Sequence, residues 1–331
     1  MQGFVRDVLA VSALALATCA ASAQPYPSRN VEIVVSYAPG GSTDLVARTL
    51  AQKFQEALGQ SFVVINRPGG GGQLGPISVA RAEPDGHTLF VGFTSETVVA
   101  PLLSKNPKYS IDAFEPIAVS GVVPVVLIVS KNVRANNLRE LIAELRENPG
   151  KYTFGGGVGS PSHVMGSWMN RLKGLNVTHI PYRGGAQAVS DVVGGHIDMF
   201  YAGVAPAKAA VESGSVKAMA VTGDARSMAL PNVPTFAEAG VPEFDLGSWN
   251  VFMAPKGTPA PVVGLLKKET AAALNDPAVR THLASQGVEP SQTQDVRKFL
   301  DGERQKFGRA VRDLNLTLPD RKSTRLNSSH T

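Results

Sequence analysis

The sequence predicts an α/β protein in two lobes, each a mixed, mostly parallel sheet flanked by helices. Three observations carry this expectation. Strand and helix signals alternate along most of the chain. Glycine-rich turns stand where strands run into helices, at Pro39-Gly40-Gly41, Gly155-Gly156-Gly157 and Gly184-Gly185. Residues 24–319 also suffice for two lobes of roughly 100–200 residues each.

The elements follow in order. Val31–Val35 is an apolar strand, and Pro39-Gly40-Gly41 turns it into a helix near Thr43–Leu58. Val46, Leu50, Phe54, Ala57 and Leu58 form the apolar face of that helix, and Gly59 stops it. Phe62–Ile65 is a second strand, Gly75–Ala82 a helix and Thr88–Phe93 a third strand. The run Pro116–Ser130 exceeds a normal strand and is broken by Gly121 and Pro124, so it reads as a crossing between lobes. A helix at Leu138–Glu147 is stopped by Asn148-Pro149-Gly150. Tyr152–Phe154 then begins a second strand–turn–helix unit, with Ser160 suited to the N-cap and Pro161 to the first helical position. Further on come a strand at Val177–Ile180, a turn at Pro181–Gly185, a helix near Ala186–Val193, and strands at His196–Phe200 and Val216–Val221. Trp249–Ala254, a helix near Pro261–Leu274 and a closing amphipathic helix near Thr293–Leu314 complete the pattern.

Both ends fall outside this fold. Arg6, the apolar run Val8–Ala17 and Ala21-Ser22-Ala23 fit a cleavable signal peptide over residues 1–23, which predicts export to the periplasm. The only cysteine, Cys19, lies inside that segment; Leu16-Ala17-Thr18-Cys19 faintly resembles a lipoprotein box. Asp320 to His330 matches one reading frame of a sequencing-adapter oligonucleotide, so residues 320–331 read as an artefact. The formal charge is +5; discounting the net +2 of that tail leaves +3 with no basic run, which argues against nucleic acid as a partner.

The turn Gly40-Gly41-Ser42-Thr43-Asp44 carries the clearest chemistry. The first amide groups of a helix lack intrahelical partners and sit at the positive end of its dipole, and glycine lets a ligand approach them. The turn suits a small anion; an ordinary capped helix start is the plain alternative. A looser copy is Gly159-Ser160-Pro161-Ser162-His163. Two such turns facing one another, at the carboxyl ends of strands where Phe93 and Ser95 also fall, would enclose an anion between helix ends. His163 either donates to the anion or caps its turn. Asp44 caps, orders its loop, or accepts from a ligand amine or hydroxyl. Arg183 pairs with a carboxylate or lies exposed, and Trp249 covers a cleft or sits in the core.

Competing motifs are weaker. Gly70-Gly71-Gly72-Gln73-Leu74-Gly75 fits G-x-G-x-x-G, but Phe93-Thr94-Ser95 stands where a ribose-binding acid belongs, so a close-packed loop competes with a nucleotide site. No P-loop or G-x-S-x-G elbow occurs, and the histidines lack metal spacing. Neither cofactor nor metal is expected. Ser160, Ser162 and His163 suggest nucleophilic catalysis only without an orienting carboxylate in view.

These pieces together resemble a known family. Tyr26-Pro27-Ser28-Arg29, Ala38 to Asp44, Asn66-Arg67-Pro68-Gly69, Pro84-Asp85-Gly86-His87, Gly159 to His163, Pro181-Tyr182-Arg183-Gly184-Gly185, Gly195-His196-Ile197-Asp198 and Leu230 to Thr235 occur in the order seen in the periplasmic receptors of tripartite tricarboxylate transporters, the Bordetella uptake gene family. The resemblance implies a type II, Venus-flytrap binding protein, with lobe I from residues 24–122 and 229–319 and lobe II from 123–228. It implies a monomer that captures a small carboxylate and delivers it to membrane transporter subunits. An exported hydrolase-like enzyme and a ligand-sensing partner of a signalling protein remain as alternatives. The implied site is Gly40 to Asp44, Phe93 and Ser95 in one lobe, with Gly159, Ser160, Ser162, His163, Arg183, Gly184, Gly185 and Asp198 in the other. After Asp198 the family is usually more acidic or amide-rich than Met199-Phe200-Tyr201-Ala202-Gly203-Val204, which leaves the distal part of the ligand open.

Overall fold

The computed structural model describes residues 26–182, 184–291 and 293–317. The expected leader with Cys19, the adapter-like tail and Arg183 lie outside the described residues.

The elements run β1 (Val31–Val35), α1 (Ser42–Leu58), β2 (Phe62–Asn66), α2 (Leu74–Val79), β3 (Thr88–Phe93), a π-type turn (Ser95–Val99) leading into α3 (Ala100–Leu103), and β4 (Phe114–Val122). There follow β5 (Val125–Ser130), α4 (Leu138–Glu147), β6 (Thr153–Gly156), α5 (Pro161–Lys173), β7 (Thr178–Pro181), α6 (Gly185–Val193), β8 (Met199–Gly203), α7 (Val204–Glu212) and β9 (Val216–Val221). The chain ends with β10 (Trp249–Pro255), α8 (Ala260–Asn275), α9 (Pro277–Ser285) and α10 (Val296–Asp313).

Two five-stranded sheets result, one per lobe. Lobe I has the order β2-β1-β3-β10-β4 and lobe II the order β7-β6-β8-β5-β9. Each has a parallel half built by βαβ units: β2-β1-β3 in one, β7-β6-β8 in the other. The other half of each is antiparallel, through β10 against β3 and β4, and through β5 against β8 and β9. The sheets are mixed, as the sequence predicts: β10 follows β9 of lobe II in the chain, so it joins lobe I with no crossover helix from β3 or β4 to set its direction.

The run read as a crossing is two strands. It breaks at Val123-Pro124, where the chain leaves lobe I, and Pro124 caps the change by accepting the Val204 N–H at 3.0 Å. The strand expected at His196–Phe200 begins instead at Met199, because the His196 and Ile197 N–H groups bond back to the Asp191 carbonyl in the last turn of α6. Ile33, Val34 and Val35 are all buried, as a strand covered on both faces requires. α1 and α8 pack one face of the lobe I sheet through Val46, Leu50, Phe54 and Leu266. α10 covers the other through Leu300 and Phe307 and also reaches lobe II, where Arg309 lies over the Trp168 ring at 5.6 Å.

Candidate functional site

The carboxyl ends of β1, β3, β6, β7 and β8 face a cavity of about 470 Å³ between the lobes. A larger groove of about 950 Å³ continues from it past α9, sharing Gly41, Ser42, Asp44 and Pro206. The smaller space holds the chemistry, because the N-termini of α1, α5, α6 and α7 open on it; α7 spends its first amide, the Val204 N–H, on the Pro124 carbonyl and has Pro206 in its first turn.

The starts of α1, α5 and α6 differ. α1 begins after Gly41 and α6 after Gly184, both in extended backbone and neither with a side-chain cap. Their first-turn amide groups therefore have no intrahelical partner and no hydroxyl or carboxylate in its place. α5 is capped: Ser160 Oγ accepts the His163 N–H at 3.3 Å, and Pro161 at its start has no amide hydrogen to offer. The anion-seeking donors of lobe II thus belong to α6 more than to α5.

Other predicted residues fall as follows. Ser42, Thr43, Asp44, Phe93 and Ser95 line the lobe I side, and Ser160, Ser162, Gly184 and Gly185 the lobe II side. Gly40 borders only the outer groove. Thr43 spends its hydroxyl hydrogen on Asn250 Oδ1 at 3.0 Å, while Asn250 Nδ2 stays buried without a partner. Asp44 orders its loop: its carboxylate accepts from the Gly40 N–H, Arg48 Nε and Asn66 Nδ2 at 2.9–3.0 Å. Burial alone would raise its pKa; the bonds from Arg48, Asn66 and Gly40 outweigh this and lower it.

Gly159, His163 and Asp198 are not brought to the cavity wall. His163 Nδ1 accepts the Gly159 N–H at 3.1 Å, and the ring stacks on His179 with centroids 4.0 Å apart. Burial, with His179 beside it, lowers the His163 pKa to about 4, so the ring is neutral near pH 7 and braces the turn. Asp198 sits at the amino end of β8, where its carboxylate accepts from the Thr153 N–H and hydroxyl at 2.8 and 2.9 Å. Strand ends facing away from the cavity put it out of reach. Trp249 is a core residue, 2% exposed, with its indole N–H on Glu303 at 3.1 Å. The Gly70–Gly75 motif is close packing: a Cβ on Gly72 would lie 2.9 Å from the Tyr37 hydroxyl, and one on Gly75 2.6 Å from Ser36 Oγ.

Several walls escaped the sequence reading: Tyr37, Gly156, Tyr182, Val123 and Val125, whereas Phe200 belongs to the Met199–Val204 segment expected near the distal part of the ligand. They come from strand ends and the lobe crossing, and their apolar character marks core as readily as cavity. Tyr37 leads to Glu96, which is fully buried, accepting from the Tyr37 hydroxyl at 2.6 Å and the Phe93 N–H at 2.7 Å. Burial pushes the Glu96 carboxyl up to about 7 despite these bonds.

Two hinged α/β lobes with uncapped helix starts facing one cavity define a solute-binding receptor of the periplasmic type. The sequence profile of the tripartite tricarboxylate transporter family receptor matches residues 46–316, and the chain belongs to that family. Protein BugT of Bordetella pertussis is 33% identical, over 94% of this chain and 98% of its own. Among solved structures, MatC from Rhodopseudomonas palustris with bound malate shares 32% identity at a TM-score of 0.74, covering 86% of this chain and 100% of that one. An R. palustris protein with adipate shares 30% identity at a TM-score of 0.77, covering 88% and 99%.

Proposed function

We propose that this receptor holds one small carboxylate between the uncapped starts of α1 and α6, closes its lobes over it, and delivers it to the membrane subunits of a tripartite transporter. The carrying observation is that two helices from opposite lobes leave their first amide groups uncapped at one cavity. Neutral donors and helix dipoles stabilise an anion without burying a fixed cation, so release stays accessible. The malate and adipate bound by the two R. palustris proteins support a carboxylate ligand.

In this reading the protein is exported to the periplasm behind a cleaved leader and works as a monomer. It is a carrier and no enzyme: the His163 ring is committed to Gly159, and Ser160 meets His163 only through the backbone amide. Movement about the Val123-Pro124 crossing closes the cleft.

A melting-temperature screen of carboxylates on the purified chain tests this. Ligand at a hundredfold excess over Kd stabilises by about 2.7 kcal/mol, worth several degrees. A broad panel that shifts nothing would remove carboxylate capture from consideration, and turnover of an ester would remove the carrier reading.

A further inference from the structure

We infer that the preferred ligand carries a single carboxylate on an apolar, ring-sized body, and that Phe93 and Phe200 select it. This deepens the carboxylate-receptor reading and rests on it. Away from the helix starts, the cavity is walled by Phe93, Val123, Val125, Phe200 and the rings of Tyr37 and Tyr182. Both phenols have turned their polar tips to protein carboxylates: Tyr37 donates to Glu96 and Tyr182 to Asp191, each at 2.6 Å. Ser162 likewise gives its hydroxyl hydrogen to the Tyr201 carbonyl at 2.8 Å. What these residues present to a ligand is carbon.

The aromatic wall meets the anion seat directly. A Cβ at Gly185, the first residue of α6, would lie 3.6 Å from Phe200 Cζ. A carboxylate on the α6 amides therefore places whatever carries it against the Phe200 ring. Phe93, half-buried at the end of β3, borders the cavity from lobe I. Among the described residues lining the cavity, the one ionised side chain is Asp44, whose oxygens are already engaged. Ser42, Ser95 and Ser248 also line the cavity, but against the face made by Phe93, Val125 and Phe200 a second ligand carboxylate would lose its hydration without a matching donor among the described residues. An aromatic ring there gains contact area and edge-to-face geometry.

Titration calorimetry on the full mature chain decides between these. Benzoate, phenylacetate and nicotinate serve as single-carboxylate probes, malate and adipate as the comparison, and benzamide as the uncharged control. The expected result is at least one aromatic acid binding about tenfold or more tighter than either dicarboxylate, with benzamide inert. Phe93→Leu, which keeps most of the apolar volume of this half-buried ring, should weaken that acid about tenfold with little change in the apo melting point. Phe200→Leu, which keeps the apolar volume, should weaken it by a similar factor. Malate or adipate binding as tightly as every aromatic acid overturns this inference and leaves the receptor reading standing. No binding by any carboxylate overturns both.

Discussion

The two lobes offer turns that look alike in sequence and differ in what they leave free. In lobe I, Gly41 stands at the N-cap of α1 and its amides stay uncapped. In lobe II, the matching Ser160 caps α5 with its own oxygen, and Gly184 before α6 takes over the open role. The lesson is that glycine at the cap position leaves the first helical amides open to a ligand, where serine satisfies one of them itself. A hydroxyl that satisfies the helix competes with the ligand for the same hydrogens.

The strongest way to break this comparison is to give the open helices a cap of their own. Gly41 has φ −84° and Gly184 φ −162°, and a Cβ at either meets nothing within 4 Å, so a side chain fits without strain. Gly41→Asp should supply an internal carboxylate to the α1 amides. The apo protein should then melt about 2–4 °C higher, from a cap worth about 1 kcal/mol. Ligand affinity should fall about a hundredfold or more, as calorimetry would report. Gly184→Asp should do the same from lobe II. Unchanged binding in both variants would detach the helix starts from the ligand.

The capped helix predicts the reverse. Ser160→Ala removes the α5 cap and should cost about 0.5–2 kcal/mol in denaturant unfolding. Its effect on ligand affinity should stay within about fivefold. A loss of binding as large as that of Gly41→Asp would erase the distinction between the turns.

Smaller effects come from two titrating groups of opposite sign, one per lobe: Glu96, buried, and His163, half-buried. Glu96 has a folded pKa raised to about 7, above its ordinary value of 4.5. Its protonated form is the one the fold favours, so its contribution is fully present below about 4.5 and is lost as pH rises through 7. His163 has a folded pKa lowered from 6.5 to about 4. Its contribution is fully present above 6.5 and is lost as pH falls toward 4. Glu96→Gln should flatten the decline in melting temperature between pH 4.5 and 7, and His163→Asn should flatten the loss between pH 6.5 and 4. Profiles identical to the parent chain would contradict both assignments.

Local signals carried much of this architecture. Thr88–Phe93 and Leu138–Glu147 have the bounds that the sequence predicts, because the apolar run of the first and the Asn148-Pro149-Gly150 stop of the second are written in adjacent residues. α7 was missed because Ala-rich Val204–Glu212 has little amphipathic contrast and carries Pro206 in its first turn. α9 was missed although Asp276 and Pro277 mark its start, since it follows α8 with one residue between. At the site, turns and caps were legible, being local. Most walls were not: Val123 and Val125 become neighbours of Gly41 and Gly185 only through the crossing and the sheet order. Asp198 drew notice by its charge, yet strand direction sends it to the other end of β8.

The central claim is that amide hydrogens from both lobes hold one carboxylate. Amide chemical shifts of the whole labelled chain, followed while titrating the tightest carboxylate from the screen, test it most directly. The account predicts that the Ser42–Asp44 and Gly185–Gln187 amides move downfield together along a single binding curve. Movement in one group while the other stays at its apo position would contradict it.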